Sequence, residues 1–467
     1  MDRSGIKTLD TPMFPYRELP AGHIRLLWPY CDSGDALPRE DLSYDLLSFP
    51  INSCPNYIAL SYTWGTKKAV EAISIDGQDG LVQFNLYTFL QQHSKWLHSS
   101  LRGRPLLWVD AVCINQLDSE EKSRQLTMMG EIYMKARRTV IWLGEHDCGS
   151  SIAIDCWLRL ADKARRQEQT SFSDVSQAEI EALDHLALRD YWHRVWVWQE
   201  VTTPNTPGEI WCGDKRIPLE DAVLANDAVR MLLLGSRRVT SLIPWLPKLQ
   251  SMHELAQIRA AHTGAEGAID KSILSGTEYW ASLVSMLYTT RDLEATDARD
   301  RVYALFPIYK NICGRSPFKV DNGRLVEEIY IDASTFILEE EQDLRLLLLC
   351  NASSVPVSVN SWIPNFKNLD QPFEIFNVQG LFHASGSKPP QVDVRRRYVS
   401  IRGAIVDTVA TTHPSLTHPS EQTSLFDTRY WQPKFADWFS SMAKFISKGQ
   451  GDRKYNLHLQ LSQAADK

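Results

Sequence analysis

The stretch YIALSYTWGT at residues 57–66 decides how this chain folds. Its first six residues, YIALSY, run without a charged side chain and stop at a Trp-Gly break, which predicts a buried strand ending in a turn. Working outward, ISI at 73–75, DG at 76–77 and VQF at 82–84 predict a small hairpin. A helix follows, with Leu86, Leu90 and Leu97 on its apolar face. LLWVDAVCINQ at 106–116 opens with a second strand over 106–110. Asp118, with Glu121 three residues on, predicts a helix start, and Leu126, Met129, Tyr133 and Ala136 continue it at helical spacing. A third strand covers 140–143, and Ser150 or Ser151 is expected to cap the helix after it. The polar stretch 163–177 reads as an exposed connection. RVWVWQE at 194–200 belongs to a helical pattern in which Trp192, Trp196 and Glu200 share one face.

Strands alternating with helices predict an α/β fold with a mostly parallel sheet flanked by helices. Open sheets of this kind bind ligands outside the carboxyl ends of their strands, where the polar runs 61–66 and 110–116 fall. Beyond this unit, 206–345 is helix-rich, with clear apolar patterns at 282–288 and 325–338, and 346–412 shifts to short strands. HPSLTHPSEQTS at 413–424 reads as a linker within a final 413–467 segment whose tail is helix-prone. At 467 residues the chain suggests two or three packed units. Charged content of 23% and hydrophobic content of 43% are those of an ordinary globular protein, which argues against disorder. A net charge of −7 gives no electrostatic case for nucleic acid. The sequence has no run of roughly 18 apolar residues and no apolar leader in MDRSGIKTLDTP, so no membrane span is expected and the location expected is cytoplasmic. Eight cysteines without a CxxC pair fit buried thiols better than disulfides or a zinc site, and no metal is expected.

The three runs at 57–66, 106–116 and 194–200, in this order, resemble the HET domain, the module of fungal heterokaryon-incompatibility proteins that triggers cell death when non-self is sensed. YRELPAGHIRLL at 16–27 looks like that family's lead-in strand. DARDRVYALFPI at 297–308, SWIPNF at 361–366 and VSIRGAIVDTV at 399–409 look like elements that follow it. The resemblance covers most of 16–410 and implies a TIR/flavodoxin-like domain at 16–205. It also implies an activity, because HET domains are considered distant relatives of TIR domains, many of which cleave NAD with a helix-borne glutamate that follows a tryptophan. No cofactor is implied, since NAD enters as a substrate. The partners implied are a second copy of the chain or another incompatibility protein.

On that resemblance Glu200 is the expected catalytic residue, preceded by Trp196 by one helical turn; otherwise it is a structural acid paired with Arg194 or another base. A carboxylate suits the chemistry, since cleavage of the nicotinamide–ribose bond develops oxocarbenium character. Asp110, at a strand end, either binds ribose hydroxyls, orients Arg194 or caps the next loop. Ser61, Tyr62 and Trp64 offer hydroxyl contacts and an aromatic wall, or form a tight turn with Gly65. Asn115 and Gln116 bond either a carboxamide or backbone. Arg124, matching an arginine of the family, meets a phosphate or makes a surface salt bridge. Cys113 reads as a buried small hydrophobe. GEHDCGSS at 144–151 lacks the lysine of a phosphate loop and sets acids where phosphate would sit, and HELAQ at 253–257 lacks the second histidine of a zinc protease. The alternative to an enzyme is an interaction module that recruits other death effectors.

Overall fold

Strand β3, Tyr57–Tyr62, is buried at every residue, as a strand needs to be when it has neighbours on both edges and helices on the sheet faces. It sits inside a nine-stranded sheet with β1 (His23–Pro29), β2 (Ser43–Pro50), β4 (Val70–Ile75), β5 (Gln78–Gln83), β6 (Leu106–Trp108), β7 (Arg138–Trp142), β8 (Glu209–Cys212) and β9 (Lys215–Pro218). The spatial order is β5-β4-β2-β1-β6-β3-β7-β8-β9. The centre, β6-β3-β7-β8, is parallel throughout, with Ala59 opposite Trp108 on one side and Thr139 on the other. Around it the sheet is mixed. Strand β1 runs antiparallel to both β2 and β6, β2 pairs β4 in parallel, and the hairpins β4-β5 and β8-β9 close the two edges. In chain order the four central strands lie 2-1-3-4, the arrangement of doubly wound sheets whose ligand crevice opens where the first strand exits.

This computed structural model describes residues 14, 16–29, 42–65, 70–99, 105–147, 149–205, 208–234, 282–321, 323–350, 361–369, 391–395 and 398–402. All of them belong to one unit. The expected linker at 413–424 and the helix-prone tail lie outside them. The helices are α1 (Phe84–Ser99), α2 (Asp110–Cys113), α3 (Ser119–Lys135), α4 (Ser150–Arg165), α5 (Gln177–Ala187), α6 (Trp196–Thr202), α7 (Leu219–Leu234), α8 (Leu283–Thr289), α9 (Asp300–Tyr303), α10 (Phe306–Cys313) and α11 (Val326–Glu339). A two-stranded hairpin of β10 (Gln391–Arg395) and β11 (Tyr398–Arg402) follows. Among the described residues no helix is long and apolar enough to cross a membrane. Cys113 is fully buried, as its sequence context predicts.

Four local expectations change. Asp110 does not end a strand: β6 stops at Trp108 and Asp110 begins α2. Helix α4 is not capped by Ser150 or Ser151, because its N-cap is Gly149 and the Asp147 carboxylate accepts from the Ser150 backbone N–H at 3.0 Å. Trp192 does not share a helix with Trp196 and Glu200. A 3-10 turn covers Asp190–His193, and Arg194 is extended before α6 begins. Finally, the sheet does not stop at residue 205, since β8 pairs with β7 and carries β9 beyond it.

Asp118 caps α3 as its spacing predicts, accepting from the Glu120 and Glu121 backbone N–H groups at 3.0 Å each. Glu121 does not complete a capping box. It reaches back to β1, where Arg25 donates to both its carboxylate oxygens at 2.6 and 2.9 Å. Helix α3 also touches α10 closely, because a Cβ on Gly130 would lie 2.5 Å from Pro307 Cβ.

His93 of α1 is fully buried, stacked on Phe89 (centroids 5.7 Å apart) and on Trp211, with no hydrogen-bond partner for either ring nitrogen among the described residues. Burial, then the nearby Arg216 charge, lowers its pKa from 6.5 to about 3. Because the unfolded chain takes up a proton below pH 6.5 and the folded chain does not until about pH 3, stability falls by about 1.4 kcal/mol per pH unit across that window. His93→Phe keeps the stack and removes both polar atoms. Urea unfolding at pH 7 and pH 5 should give the variant about 1 kcal/mol more stability at neutral pH and remove this part of the acid sensitivity.

Candidate active site

The carboxyl ends of β3 and β6 and the start of α6 meet around a cavity of about 970 Å³. Its lining includes Trp64 and Gly65 from the exit of β3, Asp110 and Gln116 after β6, Lys122 of α3, and Arg194, Trp196 and Glu200. The chain turns away at Gly65, whose φ of +80° lies where side-chain-bearing residues are strained. The rest of the lining includes Glu294 to Ala298 and Asp300. A smaller cavity of about 390 Å³ shares Thr63, Trp64, Gly65 and Asp190 and opens towards Leu143 and Glu145, past the end of β7. The two hollows therefore flank the exit of the central strand, as the strand order predicts.

Glu200 is 3% exposed, and its Oε2 accepts the Ser61 hydroxyl hydrogen bond. Ser61 Oγ in turn lies 2.7 Å from the Tyr191 hydroxyl. Burial raises the Glu200 carboxyl to about 7; the Arg194 charge and the Ser61 hydrogen bond oppose that rise, and the Asp110 carboxylate adds to it. Arg194 donates to the Tyr62 carbonyl oxygen. Burial disfavours its charge, but the Glu200 and Asp110 carboxylates outweigh that and hold its pKa up. Asp110 is also raised by burial, against the Arg194 charge and a 2.9 Å bond from Trp64 Nε1. The Tyr62 hydroxyl bonds the same carboxylate. In the same lining Trp196 Nε1 donates to Asp300 Oδ2 at 3.0 Å, and burial raises Asp300 to about 6.

The structure brings together Glu200, Asp110, Trp64 and Trp196 on the cavity surface, with Ser61 and Tyr62 bonding from behind. It leaves two expected residues outside. Asn115 is engaged in its own loop, its backbone N–H donating to Glu121 Oε1 at 2.7 Å and its side-chain oxygen accepting from Leu117 N. Arg124 makes a surface i,i+4 pair with Glu120 at 2.8 Å. Arg124→Ala should therefore change stability by less than about 0.5 kcal/mol in a urea titration and leave any turnover unaltered.

Sequence reasoning assigned no site role to Tyr191, Lys122, Asp190 or Asp300, and treated Arg194 only as a partner for the acids. Arg194 was readable from its place in the same short run as Glu200. Asp300 was not, because it meets Trp196 across 104 positions.

A second grouping, Ser150 Oγ 3.2 Å from His146 Nδ1 with His146 Nε2 against Asp214, has hydrolase residue types. Ser150 is 1% exposed and its hydroxyl bonds the Asp147 backbone, accepting from N–H and donating to the carbonyl oxygen, so it is held inside α4's capping turn.

Residues 57–200 match the family model described as heterokaryon incompatibility protein (HET). Over these residues the chain resembles a HET domain. The matched span begins at the first residue of β3 and ends at Glu200, so it holds β3, β6 and β7 of the central parallel strands and the start of α6. Heterokaryon incompatibility protein 6, OR allele, of Neurospora crassa is 39% identical over an alignment of 137 residues that covers 27% of this chain. The chain covers 19% of the length of that protein. No solved structure matches. Strands β1 and β2, the β8-β9 edge and the 294–300 wall lie outside the matched HET span.

Proposed function

We propose that this HET-domain chain is an effector of heterokaryon incompatibility, a fungal cell-death response to non-self, and that it acts by hydrolysing NAD at the nicotinamide–ribose bond. The observation that carries the enzymatic part is the Glu200 carboxyl on the surface of a 970 Å³ cavity, beside Arg194 and Asp110 and raised to about 7. In the reaction the C1′–N bond breaks and nicotinamide departs as a neutral molecule with the bonding electron pair. It needs no proton on leaving. Positive charge develops on the ribose ring, where an ionised Glu200 stabilises it, and water adds to C1′ while Glu200 accepts the proton released. The working form is the carboxylate, so kcat/KM should rise about tenfold per pH unit below about 7 and level off above it. Self-association or docking of another incompatibility protein would bring the chain to its active state.

One feature favours the alternative of a recruiting module: Glu200 is 97% covered and already bonded to Ser61. Release of nicotinamide from NAD by the purified full chain, dilute and concentrated, wild type against Glu200→Gln, separates the two. Turnover lost in the variant supports catalysis. Equal turnover, or none even when the chain is concentrated, removes it.

A further inference from the structure

The cavity has one wall that the matched HET span does not supply. Val195 N–H donates to the Glu294 carbonyl oxygen at 3.0 Å, Glu294 N–H donates to the His193 carbonyl oxygen, and the pair Arg194–Glu294 forms a parallel bridge. These bonds lash the segment after α8 to the entry of α6. The segment then passes through Asp297, whose carboxylate is taken by Arg299 at 2.5 to 3.0 Å, and turns into α9 at Asp300. Asp300 reaches Trp196 Nε1 at 3.0 Å, and both residues line the cavity. Elsewhere in the same lining the pattern repeats, with Trp64 Nε1 held by Asp110 at 2.9 Å. Two indoles on the same cavity thus each have their single N–H fixed by an aspartate, and a ring so fixed cannot rotate freely about its side-chain bonds.

We propose that residues 294–300 complete the site of the HET domain and that Asp300 is a positioning residue, holding the Trp196 ring as a substrate-facing wall of the cavity that the Trp64–Asp110 pair also lines. The proposal rests on the cavity being the substrate site. It makes the activity of the HET span depend on a segment roughly a hundred residues downstream.

The test uses the full chain with 15N-labelled tryptophan, the Trp196 indole resonance being identified by its loss in Trp196→Phe. Asp300→Ala should move or broaden that resonance and raise KM for NAD about tenfold with a smaller change in kcat, since a wall contact acts on the bound ground state as well. Asp300→Asn keeps an acceptor oxygen and should leave the resonance and KM near wild type. An unmoved Trp196 resonance in Asp300→Ala overturns the proposal, and so does Asp300→Asn behaving as badly as Asp300→Ala. If the wild type cleaves no NAD, the proposed function fails on its own, and the indole resonance still decides whether Asp300 holds Trp196.

Discussion

Glutamine at position 200 is expected to lower NAD turnover by at least about 100-fold while making the protein more stable at alkaline pH. The two effects share one cause. A carboxyl that ionises near 4.5 in the unfolded chain and near about 7 in the folded one is costly to ionise inside the protein, by about 3 kcal/mol once the pH exceeds the folded value. The sign follows from proton counts. Below pH 4.5 the group is protonated in both states and imposes no cost. Between 4.5 and about 7 the unfolded chain releases its proton first, so stability declines as pH rises, and above about 7 the full cost is present. Glutamine never ionises, can still accept from Ser61, and leaves Arg194 with Asp110 and the Tyr62 carbonyl. Urea unfolding should therefore show no advantage for Glu200→Gln near pH 4 and an advantage of up to about 3 kcal/mol above pH 7. A variant less stable than wild type at pH 8 would identify Glu200 as a structural counter-charge for Arg194 and favour the recruiting module.

Arg25→Ala should cost about 3–5 kcal/mol. Arg25 and Glu121 have side chains 4% and 3% exposed, and removing either leaves the other charge buried without its partner. Arg25 also donates to the Cys113 carbonyl at 3.1 Å and the Arg17 carbonyl at 2.7 Å, and its guanidinium lies 4.8 Å from the centre of the Tyr16 ring. The Tyr16 hydroxyl bonds the Val112 carbonyl at 2.9 Å, and Glu121 Oε1 accepts the Asn115 N–H. The pair thus braces the turn from α2 to α3, alongside the Tyr16 hydroxyl and the Gln116 side chain, which bonds the Asp110 carbonyl oxygen. Replacing both residues by methionine removes the stranded charge and should recover part of the loss, which urea titrations of the single and double variants would measure. Equal stability for Arg25→Ala and wild type would show that the pair contributes nothing net.

The segments that could be read from the sequence are those whose pattern is local. YIALSY at 57–62 is a buried strand, the 73–84 hairpin forms around Asp76 and Gly77, and Asp118 caps α3 where its spacing places it. The α/β class follows from the alternation of such segments. The expected meeting of strand ends also has a local origin, because the polar runs follow the apolar ones directly. What failed to show was either a backbone detail or a long-range pairing. The break at Arg194 between a 3-10 turn and α6 interrupts a helical spacing that the side chains alone satisfy. Glu121 carries a capping-box signature yet is spent on Arg25, because a buried arginine 96 positions away is the stronger claim on its charge.

By itself the sequence determined β3, β6, β7 and the β4-β5 hairpin, several of the helices and the residue types delivered to the strand ends, since hydrophobic periodicity and capping act over a few residues. Strands β2, β8 and β9 went unread. Only the tertiary structure decided which of those groups meet. It set Glu200 against Ser61, Arg194 beside two carboxylates and Asp300 against Trp196, and it turned Arg124 and Asn115 to other work. The reason is physical: burial and opposing charge fix the protonation of Glu200, and neither exists until distant segments pack together.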